Sequence, residues 1–548
     1  MLVSDAVGRA LARRGPAHVF GLIGSGNFAV TNALVEEGAQ FVAARHECGA
    51  VAMADAYAQV TGGVGMCSVH QGPGLTNTLT ALTEAAKSRT PLVVLAGDTA
   101  AAAIRSNFRI AQDQLVESVG AVAERIHGRR TAVDDALRAL RRARIERRPV
   151  VLMLPLDIQA AESADGVEVA PEPPNLLPTQ PASEAVAAAV AALARAERPL
   201  IIAGRGAREA HAGALLEELA ERVGGLLATS AVANGLFADN PWAVGISGGF
   251  ASPAAAELIG QADVVLAAGA GLNMWTTRHQ RLLHPRATVI QIDHDPDAIA
   301  AHHRVDIALV GDVSQSARGM LAELRSRPTG SGWRRPELAE RIRRGAWQMT
   351  PFDDASTETH IDPRALSAAL DRLVPVERTV AIDSGHFMGY PAMYLRVPDA
   401  DAFVFTQAFQ AVGLGLASGI GAAVARPQRV TVAALGDGGA FLSLSEFETV
   451  ARLGLRMLIV VYNDSAYGAE VHHFGPQGQP LDLVQFPDTD FAAIGRAVGL
   501  HGATVRRVED LAVVEDWLES GASPGLVLDA KVVPTVVAEW LEEAFRGH

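Results

Sequence analysis

The stretch VTVAALGDGGAFLSLSEFETVARLGLRMLIVVYNDSAYGAE, residues 430–470, decides the fold. It is typical of a strand, a glycine turn, a helix and a second strand, which together form a right-handed βαβ unit. Asp437 closes the first strand and Asp464 closes the second. Because neighbouring parallel strands end at one edge of a sheet, both carboxylates should meet there. Mg²⁺ commonly uses one or two carboxylates together with substrate phosphates, so this edge predicts a magnesium site.

Three glycines of the turn, Gly436, Gly438 and Gly439, favour a phosphate ligand beside that metal. Glycine lets the backbone approach a phosphate closely, and the N-terminus of the following helix favours negative charge. The same residues would also suit a plain βαβ turn whose strands happen to end in acids. The turn alone leaves both interpretations open.

The rest of the chain repeats this alternation of strands and helices. Short β-branched runs such as PLVVLAG, RPLIIAG and ATVIQID alternate with Ala/Leu-rich helical patterns, which indicates parallel sheets covered by helices on both faces. A proline-rich linker at 171–181 and a glycine-containing break at 327–333 divide the chain. We therefore predict an α/β fold of three doubly wound parallel-sheet domains, at 1–165, 183–327 and 355–548. The first and third could be distant copies of one sheet design.

Composition excludes several classes of protein. The 548 residues carry 47 basic and 61 acidic side chains, a formal charge of −14 spread along the chain, which argues against a nucleic-acid-binding surface. Two cysteines, Cys48 and Cys67, rule out a disulfide framework and fit a reducing compartment. The uncharged stretches 56–83 and 402–425 are interrupted by polar residues, and the N-terminus has no signal-peptide core. We expect a cytoplasmic protein that binds neither nucleic acid nor membrane.

The sequence around the two aspartates resembles a known motif. GDG at 436–438, followed by DSAYG at 464–468, resembles the diphosphate and metal motif of thiamine diphosphate enzymes. The resemblance implies that Asp437, Asp464 and the backbone carbonyl of Ala466 hold Mg²⁺. The family more often has Asn at the second position, so Asp464 adds negative charge near the diphosphate.

A second motif lies near the N-terminus. Arg45-His46-Glu47 resembles the family's Arg-His-Glu signature, which implies that Glu47 moves a proton on the cofactor's aminopyrimidine ring. A glutamate that merely favours the helix dipole at a helix start is the alternative. The turn at 24–26 resembles the family's substrate-side loop, so Ser25 is a candidate contact for a substrate carboxylate.

Three further residues are candidates for the chemistry. HQGPGLTN, starting at His70, resembles the family's GPG-x-TN loop, and His70 takes the place of a catalytic histidine in benzoylformate decarboxylases, where it could move protons near neutral pH. Gln112 resembles a glutamine that faces substrate in acetohydroxyacid synthases. Glu470 lies where pyruvate decarboxylases carry a proton-donating glutamate, although a solvent-exposed Glu would fit as well. His472 and His473 have no third ligand at a sensible spacing and predict no metal site.

QAFQAVGLGLASGIGAAVARP, residues 407–427, resembles the family segment that supports the cofactor's rings. Val412 takes the position of the bulky apolar residue that bends the cofactor. Gln410 replaces a glycine whose carbonyl accepts a hydrogen bond from the cofactor's amino group. The catalytic residues that we expect are Glu47, His70, Gln112 and Glu470. The expected cofactor-binding residues are Ser25, Gln410, Val412, Gly436, Asp437, Gly438, Gly439, Asp464, Ala466 and Tyr467.

The middle segment resembles the family's central Rossmann-like domain, which binds FAD in some relatives. The sequence AGAGLNMWTTRHQ, 268–280, lacks the arginine-rich pattern of FAD-binding acetohydroxyacid synthases, so we expect no FAD. Gly245-Ile246-Ser247-Gly248-Gly249 satisfies G-x-S-x-G, so a serine hydrolase that uses Ser247 is an alternative. A catalytically inactive binding protein with the thiamine diphosphate fold is another.

The resemblance covers the whole chain in the order pyrimidine-binding, central and diphosphate-binding domain. It implies thiamine diphosphate- and Mg²⁺-dependent decarboxylation of a 2-oxo acid. The remaining fragment is then either protonated, as in a decarboxylase, or added to a second carbonyl compound, as in an acetolactate synthase-like carboligase. His70 and Glu470 slightly favour protonation. Active sites of the family lie between two subunits, so we expect a homodimer or homotetramer.

Overall fold

Three separate sheets, each of six parallel strands, organise the computed structural model of the chain. It describes residues 1–164, 176–327, 330 and 332–546. Residue 165, which ends the first predicted domain, residues 547–548 of the third, and parts of the linkers at 171–181 and 327–333 lie outside the described residues. The prediction of an α/β fold with three parallel sheets is confirmed. Every helix in the described ranges is too short or too polar to cross a bilayer.

The first domain is built around a sheet whose central strands are buried along their whole length. Its strands are β1 (His18–Gly21), β2 (Gln40–Ala43), β3 (Gly65–Val69), β4 (Leu92–Asp98), β5 (Val122–Arg125) and β6 (Pro149–Pro155). Its helices are α1 (Val3–Arg14), α2 (Phe28–Glu36), α3 (Glu47–Thr61), α4 (Pro73–Thr76), α5 (Leu79–Lys87), α6 (Gln112–Ser118), α7 (Ala132–Glu146) and α8 (Leu156–Gln159). The strand order is β2-β1-β3-β4-β6-β5. Strands β3, β4 and β6 are buried throughout, as expected where helices cover both faces.

The central domain has the strand order of a dinucleotide-binding fold. Its strands are β7 (Pro199–Ala203), β8 (Leu226–Thr229), β9 (Ala243–Ile246), β10 (Val264–Ala268), β11 (Thr288–Asp293) and β12 (Ile307–Val310). Its helices are α9 (Ser183–Arg195), α10 (Arg205–Glu209), α11 (Gly213–Val223), α12 (Pro253–Gly260), α13 (Met274–Thr277), α14 (Val313–Leu324) and α15 (Pro336–Arg344), with 3₁₀ turns at Ala231–Ala233 and Pro296–Ala298. The order β9-β8-β7-β10-β11-β12 is the 3-2-1-4-5-6 arrangement, so the domain is Rossmann-like as expected. Ile342, beyond the predicted end of this domain, packs into its core.

The third domain repeats the strand order of the first. Its strands are β13 (Arg378–Ile382), β14 (Phe403–Phe405), β15 (Val430–Gly436), β16 (Met457–Asn463), β17 (His501–Val505) and β18 (Leu526–Lys531). Its helices are α16 (Pro363–Leu373), α17 (Gly389–Tyr394), α18 (Gly415–Ala425), α19 (Asp437–Leu442), α20 (Glu446–Leu453), α21 (Gly468–Phe474), α22 (Phe491–Ala497), α23 (Ala512–Glu519) and α24 (Trp540–Ala544). Short 3₁₀ turns lie at Trp347–Met349, His386–Met388, Ala400–Ala402, Gly475–Gln477 and Val508–Leu511. The order β14-β13-β15-β16-β18-β17 matches the first sheet strand for strand, which supports the idea of two copies of one design.

Helix α3 of the first domain packs against helix α18 of the third, and the two domains share one hydrophobic core. Small residues allow the close approach: a Cβ at Gly421 in α18 would overlap the backbone carbonyl of Met53 in α3. Because Glu47 is the first residue of α3, this contact fixes Glu47 relative to the third domain.

Replacing Gly421 with alanine should lower the midpoint of thermal unfolding. The added methyl meets rigid backbone, and overpacking of this kind costs about 1–3 kcal/mol. Gly419→Ala in the same helix is the matched control, since its new methyl would meet the side-chain ends of Met457 and Ala433 at 3.1 and 3.2 Å. The gain in helix propensity, up to about 1 kcal/mol, should offset that tighter fit. Equal midpoints for Gly421→Ala and the wild type would contradict the packing described.

Candidate active site

The two predicted metal-binding aspartates lie just beyond the ends of neighbouring strands. Gly436 of β15 pairs in register with Tyr462 of β16, so Asp437 and Asp464 follow at one edge of the sheet. Burial raises the pKa of Asp437 to about 6. Burial and the nearby charge of Asp437 raise the pKa of Asp464 to about 7. A cation bound between them would stabilise both charged forms, so this pair is suited to a divalent metal.

Ala466, the predicted third ligand, lies in a loop that backbone hydrogen bonds hold in place. The Tyr467 amide donates to the Val484 carbonyl at 2.9 Å, and the Phe486 amide donates to the Ser465 carbonyl at 2.8 Å. Within the described ranges there is no cluster of three or more His, Cys, Asp or Glu side chains that could hold a metal ion. Two carboxylates and one carbonyl would leave the other positions of Mg²⁺ to phosphate and water, which is the usual pattern for this metal.

Gly438 and Gly439 line the cavity next to Asp437 and pack closely against neighbouring side chains. A Cβ at Gly438 would lie 2.8 Å from a ring carbon of Tyr467, and a Cβ at Gly439 would overlap a carboxylate oxygen of Asp383. No larger residue fits at either position without a shift of its neighbours. The bare backbone there can approach a diphosphate closely, so the residues present fit thiamine diphosphate with Mg²⁺.

Asp383, at the end of β13, is a site residue that the sequence prediction missed. Its side chain is fully buried and accepts hydrogen bonds from the backbone amides of Ser384 at 2.8 Å, Gly413 at 2.9 Å and Leu414 at 3.2 Å. These bonds fix one end of the loop that carries Val412. The strand-like run TVAID, which ends at Asp383, was the only local signal for this residue.

The loop itself presents two predicted cofactor contacts. Gln410 has a φ of +61°, the left-handed conformation that glycine favours, so it keeps the backbone shape expected of the glycine it replaces. Val412 is 44% exposed in the single chain and lines the cavity next to the aspartates. A ligand in that cavity would cover an apolar side chain that otherwise faces solvent.

A cavity of about 1170 Å³ connects these groups. Its lining includes Gln410, Val412, Gly436, Asp437, Gly438, Gly439, Asp464, Ala466, Tyr467 and Glu470. It extends to Arg205 and Asp293 in the central domain, and Trp540 of α24 covers its other side. The crevice at the carboxyl ends of the central strands therefore opens into the same space, and the expectation that no FAD binds there stays a prediction.

The first domain holds the second group of predicted site residues. Glu47 is buried, and its carboxylate accepts a hydrogen bond from the Asn77 amide at 2.9 Å. The His70 Nδ1 accepts from the Gly26 backbone amide at 3.0 Å, so the neutral ring carries its proton on Nε2. Burial lowers the pKa of His70, opposed by the charge of Glu47. Burial thereby favours the neutral ring, whose Nε2–H can donate a hydrogen bond.

Gln112 is buried between the GPG loop and strand β4 of the first domain. Its Oε1 accepts from the Gly72 amide at 2.9 Å, and its Nε2 donates to the Gly97 carbonyl at 3.1 Å. These bonds hold the GPG loop, so the structure gives Gln112 a positioning role and its contact with substrate stays a prediction. Ser25 is exposed in the neighbouring turn.

Within one chain, the predicted site residues of the first domain and those of the third domain do not line the same cavity. Ser25, Glu47, His70 and Gln112 are absent from the lining of the cavity that contains Asp437. Exposed apolar side chains accompany each group. They are Ile23, Phe28, Ile104, Phe108 and Ile110 in the first domain, and Phe409, Val412, Phe441 and Leu442 in the third.

The geometry of Ser247 does not support the hydrolase alternative. Ser247 follows β9 and is buried, and its hydroxyl donates to the Thr276 carbonyl at 2.9 Å. A nucleophile needs an exposed hydroxyl bonded to a base, and this hydroxyl has neither property. His472 and His473 lie on helix α21, where one ring faces His386 and the other stacks on Phe545, so they do not form a pair of ligands.

Comparison with known proteins assigns all three domains. Residues 1–118 match the thiamine pyrophosphate enzyme N-terminal TPP-binding domain, 186–320 the central domain and 383–527 the C-terminal TPP-binding domain. The chain belongs to the thiamine pyrophosphate enzyme family.

Relatives within the family carry different activities. A probable 2-ketoarginine decarboxylase of Pseudomonas aeruginosa is 31% identical, over 95% of this chain and 92% of its own length. A sulfoacetaldehyde acetyltransferase of Castellaniella defragrans is 28% identical over 93% and 89% of the two chains. An acetolactate synthase isozyme 2 large subunit of Escherichia coli is 28% identical over 94% and 93%.

Asp383→Asn should weaken binding of thiamine diphosphate. The Asn oxygen could keep the bonds now made to Oδ1, but its NH₂ would replace Oδ2, which accepts from the Gly413 amide at 3.0 Å. A lost hydrogen bond to a charged group costs about 1.5–3 kcal/mol. The expected result is a rise of roughly tenfold or more in the Kd measured by calorimetry. Asp312→Asn is the control, because Asp312 accepts from two backbone amides in the central domain. An unchanged Kd in Asp383→Asn would remove Asp383 from the site.

Proposed function

We propose that this protein is a Mg²⁺- and thiamine diphosphate-dependent enzyme that decarboxylates a 2-oxo acid and then protonates the remaining fragment. The observation that carries the proposal is the convergence of Asp437, Asp464 and Glu470 on one cavity beside the open backbone of Gly438 and Gly439. The family assignment supplies the cofactor, and these residues supply a metal site and an acid beside it.

Each part of the cavity has a separate role in the proposal. Asp437, Asp464 and the Ala466 carbonyl would hold Mg²⁺ and through it the diphosphate, while Val412 supports the bent shape of the cofactor. When bound, thiamine diphosphate would supply a nucleophilic carbon for the 2-oxo acid and an electron sink for the pair left behind when CO₂ departs. Glu47 would hold and move the proton on the aminopyrimidine ring.

Two protein groups can take part in the final protonation. Glu470 lines the cavity two residues after the start of α21 and is partly exposed, so it can exchange protons with solvent. His70, whose neutral ring carries its proton on Nε2, can donate a hydrogen bond that orients the reacting groups. These two groups support protonation as the end of the reaction.

The proposed assembly is a homodimer, or a homotetramer built from such dimers. Glu47 and Asp437 do not share a cavity in one chain, and each lies in a domain with exposed apolar side chains. A second copy would bring the first domain of one subunit against the third domain of the other and cover both surfaces. The free cysteines Cys48 and Cys67 support a reducing compartment, which we propose is the cytoplasm.

Carboligation is the second candidate. The cavity of about 1170 Å³ exceeds the range of about 300–1000 Å³ usual for ligand pockets, which leaves space for an acceptor. The similarity to sulfoacetaldehyde acetyltransferase and acetolactate synthase supports this candidate, whereas similarity to a probable 2-ketoarginine decarboxylase supports the first. A screen of 2-oxo acids, 2-ketoarginine and pyruvate among them, for CO₂ release with and without an acceptor aldehyde separates the two.

Removal of the metal should abolish cofactor binding. Calorimetry with Mg²⁺ and with EDTA should show thiamine diphosphate binding only in the first condition, and equal binding in both would contradict the metal assignment. Asp437→Ala should weaken binding by at least the roughly 10–100-fold that loss of an outer metal partner costs. Glu47→Gln, the matched variant, should retain binding and lose turnover, because it removes proton transfer and no diphosphate contact.

Glu470→Gln should shift the products from aldehyde toward ligated hydroxyketone when an acceptor aldehyde is present. The amide cannot donate the final proton as an acid, so the acceptor has longer to react. Product ratios measured by chromatography test this, with Glu542→Gln on the exposed face of α24 as the control. An unchanged ratio with any active 2-oxo acid would remove Glu470 from the mechanism and favour the carboligase.

A further inference from the structure

Two buried glutamates form hydrogen bonds between the first and third domains. One lies in the third domain and binds the first, and the other lies in the first domain and binds the third. Glu446, the first residue of α20, is 2% exposed, and Glu84 of α5 is 1% exposed. A buried carboxylate is costly unless hydrogen bonds compensate for the loss of water. In both cases the compensating bonds come from backbone amides of the other domain.

Glu446 of the third domain holds the turn before Glu47. Its Oε1 accepts from the backbone amides of Arg45 and His46, each at 3.0 Å. Its Oε2 accepts from the Thr449 hydroxyl at 2.6 Å, which orients the carboxylate. A Cβ at Gly49 would lie 2.7 Å from the same Oε1, so glycine leaves room for this contact.

Glu84 of the first domain holds the loop before Gln410 in the same manner. Its two oxygens accept from the backbone amides of Ala408 at 3.0 Å and Phe409 at 2.6 Å. The Ser88 hydroxyl donates to its Oε1 at 3.1 Å. One end of the loop is therefore fixed by Glu84, and Asp383 fixes the other.

We propose that Glu446 and Glu84 are positioning residues of the thiamine diphosphate site: Glu446 orients Glu47, and Glu84 sets the loop of Gln410 and Val412. This inference rests on the proposed function. Neither glutamate lines the cavity, so each acts through the backbone that it binds. Two amides bound to one carboxylate allow the turn little freedom, and Glu47 must meet the cofactor ring within hydrogen-bond distance to move its proton.

Their placement distinguishes these contacts from ordinary interdomain bonds. Each glutamate binds the two residues at the start of a predicted cofactor segment, Arg45 and His46 in one domain and Ala408 and Phe409 in the other. The exposed ion pair between Glu448 and Arg45 joins the same domains through side chains alone. A surface pair of that kind contributes little and fixes no backbone.

The test compares Glu446→Ala, Glu446→Gln and Asp263→Ala with the wild type. Asp263 accepts from two consecutive backbone amides of the central domain, those of Glu197 and Arg198, so its loss is a matched control. Calorimetry gives the Kd of thiamine diphosphate with Mg²⁺, near-ultraviolet circular dichroism reports the environment of the bound aminopyrimidine, and turnover is measured with any active 2-oxo acid.

Glu446→Ala should lower turnover roughly 100-fold, as expected for a misplaced catalytic group, with little change in cofactor Kd. Its aminopyrimidine dichroism should change as well. Glu446→Gln should recover most turnover, because an amide oxygen can accept from both backbone amides. Asp263→Ala should match the wild type in turnover and dichroism. Glu84→Ala should instead raise the cofactor Kd, because it releases the loop that contacts the cofactor.

Wild-type turnover and dichroism in Glu446→Ala would overturn the proposal, as would a loss in Glu446→Gln equal to that in Glu446→Ala. If Glu446→Ala does not fold, Gly49→Ala places a methyl 2.7 Å from the same carboxylate oxygen, displaces it and should produce the same loss of turnover. Wild-type turnover in Gly49→Ala would then overturn the proposal. Failure of the wild type itself to bind thiamine diphosphate would refute the proposed function, which is a separate result.

Discussion

Repulsion between two carboxylates is the constraint around which the third domain is arranged. The parallel register of β15 and β16 places Asp437 and Asp464 at one edge, where burial disfavours their charged forms. In the proposed site a divalent cation would relieve both penalties, and a diphosphate would complete its coordination. The glycines at 438 and 439 and the loop held by Asp383 surround this pair. The register of the two strands therefore creates an acidic site in which burial opposes the charge of both carboxylates.

The first and third sheets share one strand order, and the site residues that they carry in one chain do not line the same cavity. Packing of α3 on α18 joins the two domains into one unit with a shared core. In the proposed dimer the two domains of one chain belong to different active sites. Glu446 and Glu84 lie in the interface between these two domains of a single chain. This interface would then set the geometry of both active sites.

Features with a local signal could be predicted from the sequence. The β-branched runs predicted parallel sheets, and the acids at the ends of two runs predicted the meeting of Asp437 and Asp464, because strand ends in a parallel sheet share an edge. Asp383 had only the strand-end signal of the run TVAID, and Glu446 and Glu84 had none. Their partners are backbone amides 30, 400 and 324 residues away, and any residue type offers a backbone amide. The motif around Ser247 had a local signal for a hydrolase that the structure does not support, because the Ser247 hydroxyl donates to the Thr276 carbonyl in the folded chain.

Mixing two inactive variants tests most directly whether one site is built from two chains. Glu47→Gln and Asp437→Ala should each abolish turnover when alone. In a mixed dimer one site carries both substitutions, and the other carries neither, because Glu47 and Asp437 of one site come from different subunits. The predicted result is turnover restored on mixing, up to one working site per mixed dimer. If dimers shown to have exchanged subunits remain inactive, each site is built within one chain and the proposed assembly is wrong.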